Sequence, residues 1–178
     1  MTAHRVAHDA HAEAAKLHSE AHDMHRKAAA GHTKQQNPVD AAHHIEEAKG
    51  HVAKARAHNI KAAAHKTAEH EVKAGNPKAL KKAHASAKAA KESHGHASTS
   101  LEHAKAAHGH LMAAAAHNWT AKLDPKNAHH ADNAKEHVTI AKSHGPQHDN
   151  HPDPRKSQLD AQASYNSVTT KLPTVKKA

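Results

Sequence analysis

The chain has 178 residues, 26 lysines and arginines against 17 acidic residues, 26 histidines, and a formal net charge of +9 with histidine neutral. It contains no cysteine, which excludes a disulfide framework, a thiolate zinc site and a cysteine nucleophile. It contains no phenylalanine either, and Trp119 and Tyr165 are its sole aromatic residues, so neither a core built from large apolar side chains nor a wide pocket is expected.

The apolar content is chiefly alanine, which suits helices whose backbones approach closely. In chain order, the first helix is predicted from about Ala3 to Ala30, ended by "GHTKQQNP". Asn37 and Pro38 open the second, which runs to about Lys73 and ends at "AGNP". Asn76 and Pro77 open a third that fades at "SHGHAS", and a fourth begins near residues 98–100 and runs through "AHNW". Asp124 and Pro125 open the fifth, through "KSHG". In each of these Asn/Asp-Pro starts, proline sits where its missing N–H is an orphan anyway, behind a side-chain acceptor. A Pro-containing loop (146–154), a short helix near 155–167 and a basic tail follow. The fold class expected is all-α: an Ala-rich antiparallel helical bundle, or coiled-coil-like hairpins, of five to six helices with an extended C-terminal tail. Residues 1–145 form the His-rich bundle and 146–178 the loop, short helix and tail. "AHHIEEAKGHVAKA" (42–55) and "AHHADNAKEHVTIA" (128–141) match closely enough to read as a duplicated helical unit. The N-terminal stretch lacks the apolar region of a secretory leader, and no run approaches the ~20 apolar residues of a membrane span. The expectation is a protein that is not secreted and has no membrane partner, placed in the cytoplasm or in a particle assembled there.

The histidines recur every seven residues: His4, His11, His18, His25 and His32; His44, His51, His58 and His65; His103, His110 and His117; His130, His137, His144 and His151. Seven residues are two helical turns, so each series is a stripe with a rung about every 10.5 Å. In the first helix the stripe runs beside an apolar seam of Ala3, Ala7, Ala10, Ala14, Leu17, Ala21, Met24 and Ala28. In the second it runs beside Ile45, Ala48, Val52, Ala55 and Ala62, and in the later helices beside Leu111, Ala114, Ala134, Val138 and Ala141. Histidine is thus placed next to the seam, where side chains lay their stems over it and reach a partner helix.

Such a stripe has three readings. Histidine is a half-polar filler covering a thin alanine seam, with His11, His32, His44, His51, His58, His65, His103, His110, His117, His130 and His137 as interface residues. Or it is a metal surface. His4 with His8, His18 with His22 and His25, and His144 with His148 and His151 have the i, i+3/i+4 spacing that chelates, while rungs about 10.5 Å apart cannot share an ion through bonds of about 2.1 Å. No resident cofactor is expected; zinc, nickel or copper would bind adventitiously. Or it is a pH switch, in which imidazoles at helix interfaces protonate together and repel.

No HExxH, GxSxG, P-loop or GxGxxG motif is present, so a non-enzyme is expected. "NPKALKKAHASAKAAKESH" and "KLPTVKKA" resemble the Ala/Lys-rich tails of linker histones in composition. Lys78, Lys81, Lys82, Lys88, Lys91, Lys171, Lys176 and Lys177 would meet phosphates by charge alone, while base stacking is scarcely available with one Trp and one Tyr. The function expected is a non-enzymatic structural or packing protein of a larger assembly, such as a phage virion, whose partners are other protein subunits, identical or different. A metal-buffering protein and a nonspecific binder of DNA or another polyanion are the alternatives.

Overall fold

The computed structural model describes residues 2–71, 77–126, 128–145 and 152–170, the side chains of His70 and Glu71 excepted. Among the described residues there are five α-helices and no strand: α1 (Ala3–Lys34), α2 (Pro38–Glu71), α3 (Pro77–Leu123), α4 (Ala128–Ser143) and α5 (Pro154–Thr169). The protein is all-α, as expected. No helix is long and apolar enough to cross a membrane among the described residues.

Helix α1 outruns its expected end. Gly31 stays helical because it is a packing position: a Cβ there would stand 2.9 Å from Leu111 Cδ1 and 3.1 Å from Leu111 Cβ. The stop comes at Gln36, whose φ of 58° is left-handed. The amide of Asn37 then donates to the His32 carbonyl (2.9 Å) and that of Gln36 to the Thr33 carbonyl (3.0 Å), the paired closure of a Schellman motif with glutamine where glycine is usual. Helix α2 starts at Pro38, with the Asn37 side-chain amide donating to Asp40 in the first turn.

The third and fourth predicted helices are one, α3, spanning 47 residues. A lone Gly95 costs only about 1 kcal/mol relative to alanine, and Thr99 donates back to the Gly95 carbonyl (3.3 Å) without breaking the ladder. The expected start of the next helix at Asp124–Pro125 also shifts. The Asp124 amide still donates to the Thr120 carbonyl (2.9 Å) to close α3, Pro125 lies in a turn, and α4 begins at Ala128. The Asp-Pro device opens α5 instead: Asp153 accepts from the amides of Arg155 (2.9 Å) and Lys156 (3.3 Å), with Pro154 in the first turn. The expected cap at Asn76 lies outside the described residues.

The chain divides into two compact units. Unit 1 comprises residues 1–23 and 46–101; unit 2 comprises 24–45 and 102–178. In unit 1, Ala7 and Ala10 of α1 meet Ala87 and Ala90 of α3, with Val6 packed against them. In unit 2, Ala104, Ala107, Leu111 and Ala114 are buried, as are Ala134, Ala141, Ala161 and Val168. A Cβ on Gly109 would lie 3.3 Å from that of Ala161, so α3 and α5 approach nearly backbone to backbone.

The expected seam is only half right. Its alanines are buried, but Leu17, Met24, Val52 and Val138 are half-buried and Ile45 is exposed. Val39, Ile60, Trp119, Leu123 and Leu159 are exposed as well, Ile60 by 72% and Leu159 by 71%. Histidine fills the interior in their place: His11, His18, His32, His44 and His110 are the largest fully buried side chains. The stripe does not flank the seam; it is the seam.

Two substitutions check these local readings by urea denaturation. Gly31→Ala drives a methyl into Leu111 and is expected to lower stability by about 1–3 kcal/mol. Gln36→Gly relieves a left-handed side-chain residue and is expected to raise it by about 1 kcal/mol.

Candidate functional site

In unit 1 the seven-residue steps of α1 and α2 run in opposite directions and bring their histidines together in pairs. His4 and His65 share a hydrogen bond between their Nδ1 atoms at 3.2 Å, His11 and His58 at 2.7 Å, and His18 and His51 at 2.7 Å. The other nitrogen of every ring but that of His4 meets a serine of α3. Ser86 Oγ lies 2.8 Å from His11 Nε2 and 2.9 Å from His65 Nε2. Ser93 Oγ lies 2.9 Å from His18 Nε2 and 2.8 Å from His58 Nε2, and Ser100 Oγ lies 2.9 Å from His51 Nε2. Each bridging serine thus links a ring of one pair to a ring of the next. Neighbouring rings also stack, His11 on His65 (centroids 5.6 Å apart) and His18 on His58 (5.5 Å).

Unit 2 repeats the construction with α3, α4 and α5. His103 pairs with His144 (3.1 Å), His110 with His137 (2.8 Å) and His117 with His130 (2.9 Å), again through Nδ1. Ser157 Oγ lies 2.8 Å from His110 Nε2 and 2.7 Å from His144 Nε2, and Ser164 Oγ lies 3.0 Å from His117 Nε2 and 2.7 Å from His137 Nε2. His25 of α1 and His44 of α2 form one further pair in this unit at 2.9 Å. His32 stacks on His44 with centroids 5.3 Å apart. Seven residues back from His44 the chain has Asn37 instead of histidine, and both His32 nitrogens are buried without a hydrogen-bond partner.

An Nδ1 to Nδ1 hydrogen bond needs one proton between two rings, so every pair is satisfied by two neutral imidazoles and strained when both are charged. The electrostatics agree. Burial, with the neighbouring His58, His65 and Lys61, pushes His11 down from 6.5 to about 4. Burial also brings His18 to about 4, aided by His51, His58, Lys54 and His94, and it brings His51 to about 4 beside Lys54 and His22. In unit 2 burial brings His44 and His110 to about 4, against a smaller opposing pull from Asp40 and Asp160 respectively. His58, His65, His117 and His137 are lowered too, burial again leading.

The residues expected to hold metal take separate partners. His4 and His18 are in pairs with α2, while His8 Nδ1–H donates to Asp9 (2.9 Å) and His22 Nδ1–H to the Ala48 carbonyl (2.9 Å). His25 is paired with His44, and His144 with His103 and Ser157. His148 and His151 lie outside the described residues. The interface set His11, His44, His51, His58, His65, His103, His110, His117, His130 and His137 makes up the pairs. Lys78, Lys81, Lys82, Lys88 and Lys91 are all exposed on α3, Lys88 lying 3.9 Å from Glu92; Lys171, Lys176 and Lys177 lie outside the described residues.

Comparison with known proteins found no matching family model, no matching curated protein and no matching solved structure. The site therefore stands on its own geometry.

The serines are what the sequence analysis missed. Ser86, Ser93 and Ser100, and likewise Ser157 and Ser164, step by seven as the histidines do, and that period was the available signal. Removing one hydroxyl orphans two buried ring nitrogens. Ser157→Ala is expected to cost about 1–3 kcal/mol, read from the denaturant midpoint, and Ser157→Thr to recover part of it.

Proposed function

We propose that the chain is a non-enzymatic structural protein, an Ala-seamed antiparallel bundle that packs within a larger assembly and whose helix seams are held shut by neutral imidazoles and released by acid. The observation that carries this reading is the burial of histidine pairs whose hydrogen bonds use up the single proton of each neutral ring. Protonating both rings of a pair puts two protons into a contact of 2.7–2.9 Å between His11 and His58, His18 and His51, or His25 and His44. The groups facing these rings offer little compensation: Lys61 faces His11, Lys54 faces His18 and His51, and Asp40 alone offsets burial at His44.

The assembly part of the proposal is supported by where the apolar side chains lie. Trp119, Leu123, Leu159 and Ile60 face out while alanine and histidine fill the interior, an arrangement that leaves apolar contact area for neighbouring subunits. The exposed lysines of α3 between Lys78 and Lys91 provide a basic surface for an acidic or polyphosphate partner, in keeping with the net charge of +9.

The sign of the pH effect follows from the direction of the shifts. The folded rings titrate near 4 and the unfolded ones near 6.5, so between those values the unfolded chain binds more protons. Stability is complete above pH 6.5 and falls as pH drops toward 4. Each ring neutral in the folded chain and charged in the unfolded one steepens the loss by about 1.4 kcal/mol per pH unit. Several act together against a stability of about 5–15 kcal/mol. Far-ultraviolet circular dichroism is expected to show cooperative loss of helix between pH 6.5 and 4, with light scattering showing a fall in assembly mass over the same range. Helicity that stays constant to pH 4 would sink the proposal.

A further inference from the structure

The hydrogen bonds of unit 1 join end to end. His4 is bonded to His65, His65 to Ser86, Ser86 to His11, His11 to His58, His58 to Ser93, Ser93 to His18, His18 to His51, and His51 to Ser100. Unit 2 carries the same pattern through His130, His117, Ser164, His137, His110, Ser157, His144 and His103.

Proton counting restricts how such a chain is populated. A neutral imidazole has one N–H and one bare nitrogen, and a serine hydroxyl has one proton to give. Each Nδ1 to Nδ1 contact needs one ring with Nδ1–H, whose Nε2 is bare, and one with bare Nδ1, whose Nε2 carries the proton. If successive pairs pointed in opposite senses, a serine would face either two bare nitrogens with one proton to offer, or two N–H groups with its own proton unused. Every contact is satisfied when all pairs point the same way.

The end of the chain selects the direction. His4 Nε2 is buried with no hydrogen-bond partner, and a buried orphan N–H is rarer than an unfilled acceptor. His4 is then the Nδ1–H tautomer. By the same counting His11 and His18 carry Nδ1–H, whereas His51, His58 and His65 on α2 carry Nε2–H and donate to Ser100, Ser93 and Ser86.

We propose that each ladder is a polarised imidazole–hydroxyl chain that relays protons along the helices. The function is distinct from the acid-released seam, although it uses the same pairs. In unit 1 a proton enters when fraying of the first turn of α1 opens the buried His4 Nε2 to water: hydronium gives its proton to His4 Nε2, and His4 gives up its Nδ1 proton to His65 Nδ1. His65 passes its Nε2 proton to Ser86, which passes its hydroxyl proton to His11 Nε2. The same three transfers recur through His58, Ser93, His18 and His51 until Ser100 gains one proton and releases another to water at the far end. One proton enters, one leaves, no bond other than N–H and O–H changes, and every ring ends as its other tautomer. The chain then conducts in reverse, so each passage resets the previous one.

In unit 2 the ladder is flanked by a groove of about 830 Å³ whose lining includes His110, His137, Ser157 and Ser164, with Glu136 and Asp160 beside them. That groove borders one side of the chain, and the two carboxylates are suited to gather protons there. Lys156 and Asp153 share the lining.

The test uses the full chain labelled with 15N-histidine at pH 7.5, where the seams are closed, so its outcome is independent of acid release. Long-range 1H–15N spectra are expected to show Nδ1–H at His4, His11 and His18 and Nε2–H at His51, His58 and His65. Ring protons are expected to exchange with water at least tenfold faster than the backbone amides beside them. Ser93→Ala cuts the chain and is expected to slow exchange at His18 at least tenfold, with Ser93→Thr restoring it. Lost stability alone would speed exchange, so slowing cannot come from a loosened fold. Uniform Nε2–H rings, mixed tautomers within one helix, ring exchange no faster than the amides, or exchange unslowed in Ser93→Ala would each overturn the proposal.

Discussion

One contact governs this molecule: two neutral imidazoles sharing a single proton between their Nδ1 atoms. The space around it is filled by small side chains, Ala7, Ala10 and Ala14 in unit 1 and Ala104, Ala107 and Ala114 in unit 2, all buried. It needs a partner for the outward nitrogen of each ring, hence the serines of α3 and α5. It also fixes the period, because a ring every two turns keeps successive pairs in register on antiparallel helices without a bend. Histidine here takes the place that leucine or phenylalanine has in ordinary helical cores, supplying ring area and a directional bond together.

That substitution carries a condition. An apolar core is indifferent to pH, whereas an imidazole core is satisfied in one protonation state only. Buried polar networks are costly when partly satisfied. Among the described ladder residues the gaps in this network are both His32 nitrogens, His4 Nε2 and His44 Nε2. His32 lacks a counterpart because Asn37 belongs to the turn into α2, and His4 sits at the open end of its helix.

Much of this was legible in the sequence. The all-α class followed from alanine-rich composition and Asn/Asp-Pro starts, and the period of seven located the rungs. What the sequence concealed has physical reasons. Hydropathy treats histidine as a polar flank, so Ile45, Leu17 and Met24 were assigned to a seam that His18 and His44 occupy. Serine inside a helix is energetically bland on its own, so Ser86 and Ser157 carried no weight until the rings they serve were placed. Gly31 reads as a stop because close packing is invisible in one dimension: its neighbour Leu111 is far away in the chain. Gly95 reads as a stop too, though one helical glycine costs only about 1 kcal/mol and packing beyond it, where Ala97 and Leu101 are buried, carries the helix through.

Leaving Val39, Ile60 and Leu159 outside while enclosing methyls and hydrogen-bonded rings has a calorimetric consequence. The heat-capacity increment of unfolding rises with newly exposed apolar surface and falls with newly exposed polar surface. This interior exposes less of the first and more of the second than an aromatic core of equal length. Its stability curve is therefore shallow, varying little between cold and warm conditions. Temperature is a weak lever on this fold.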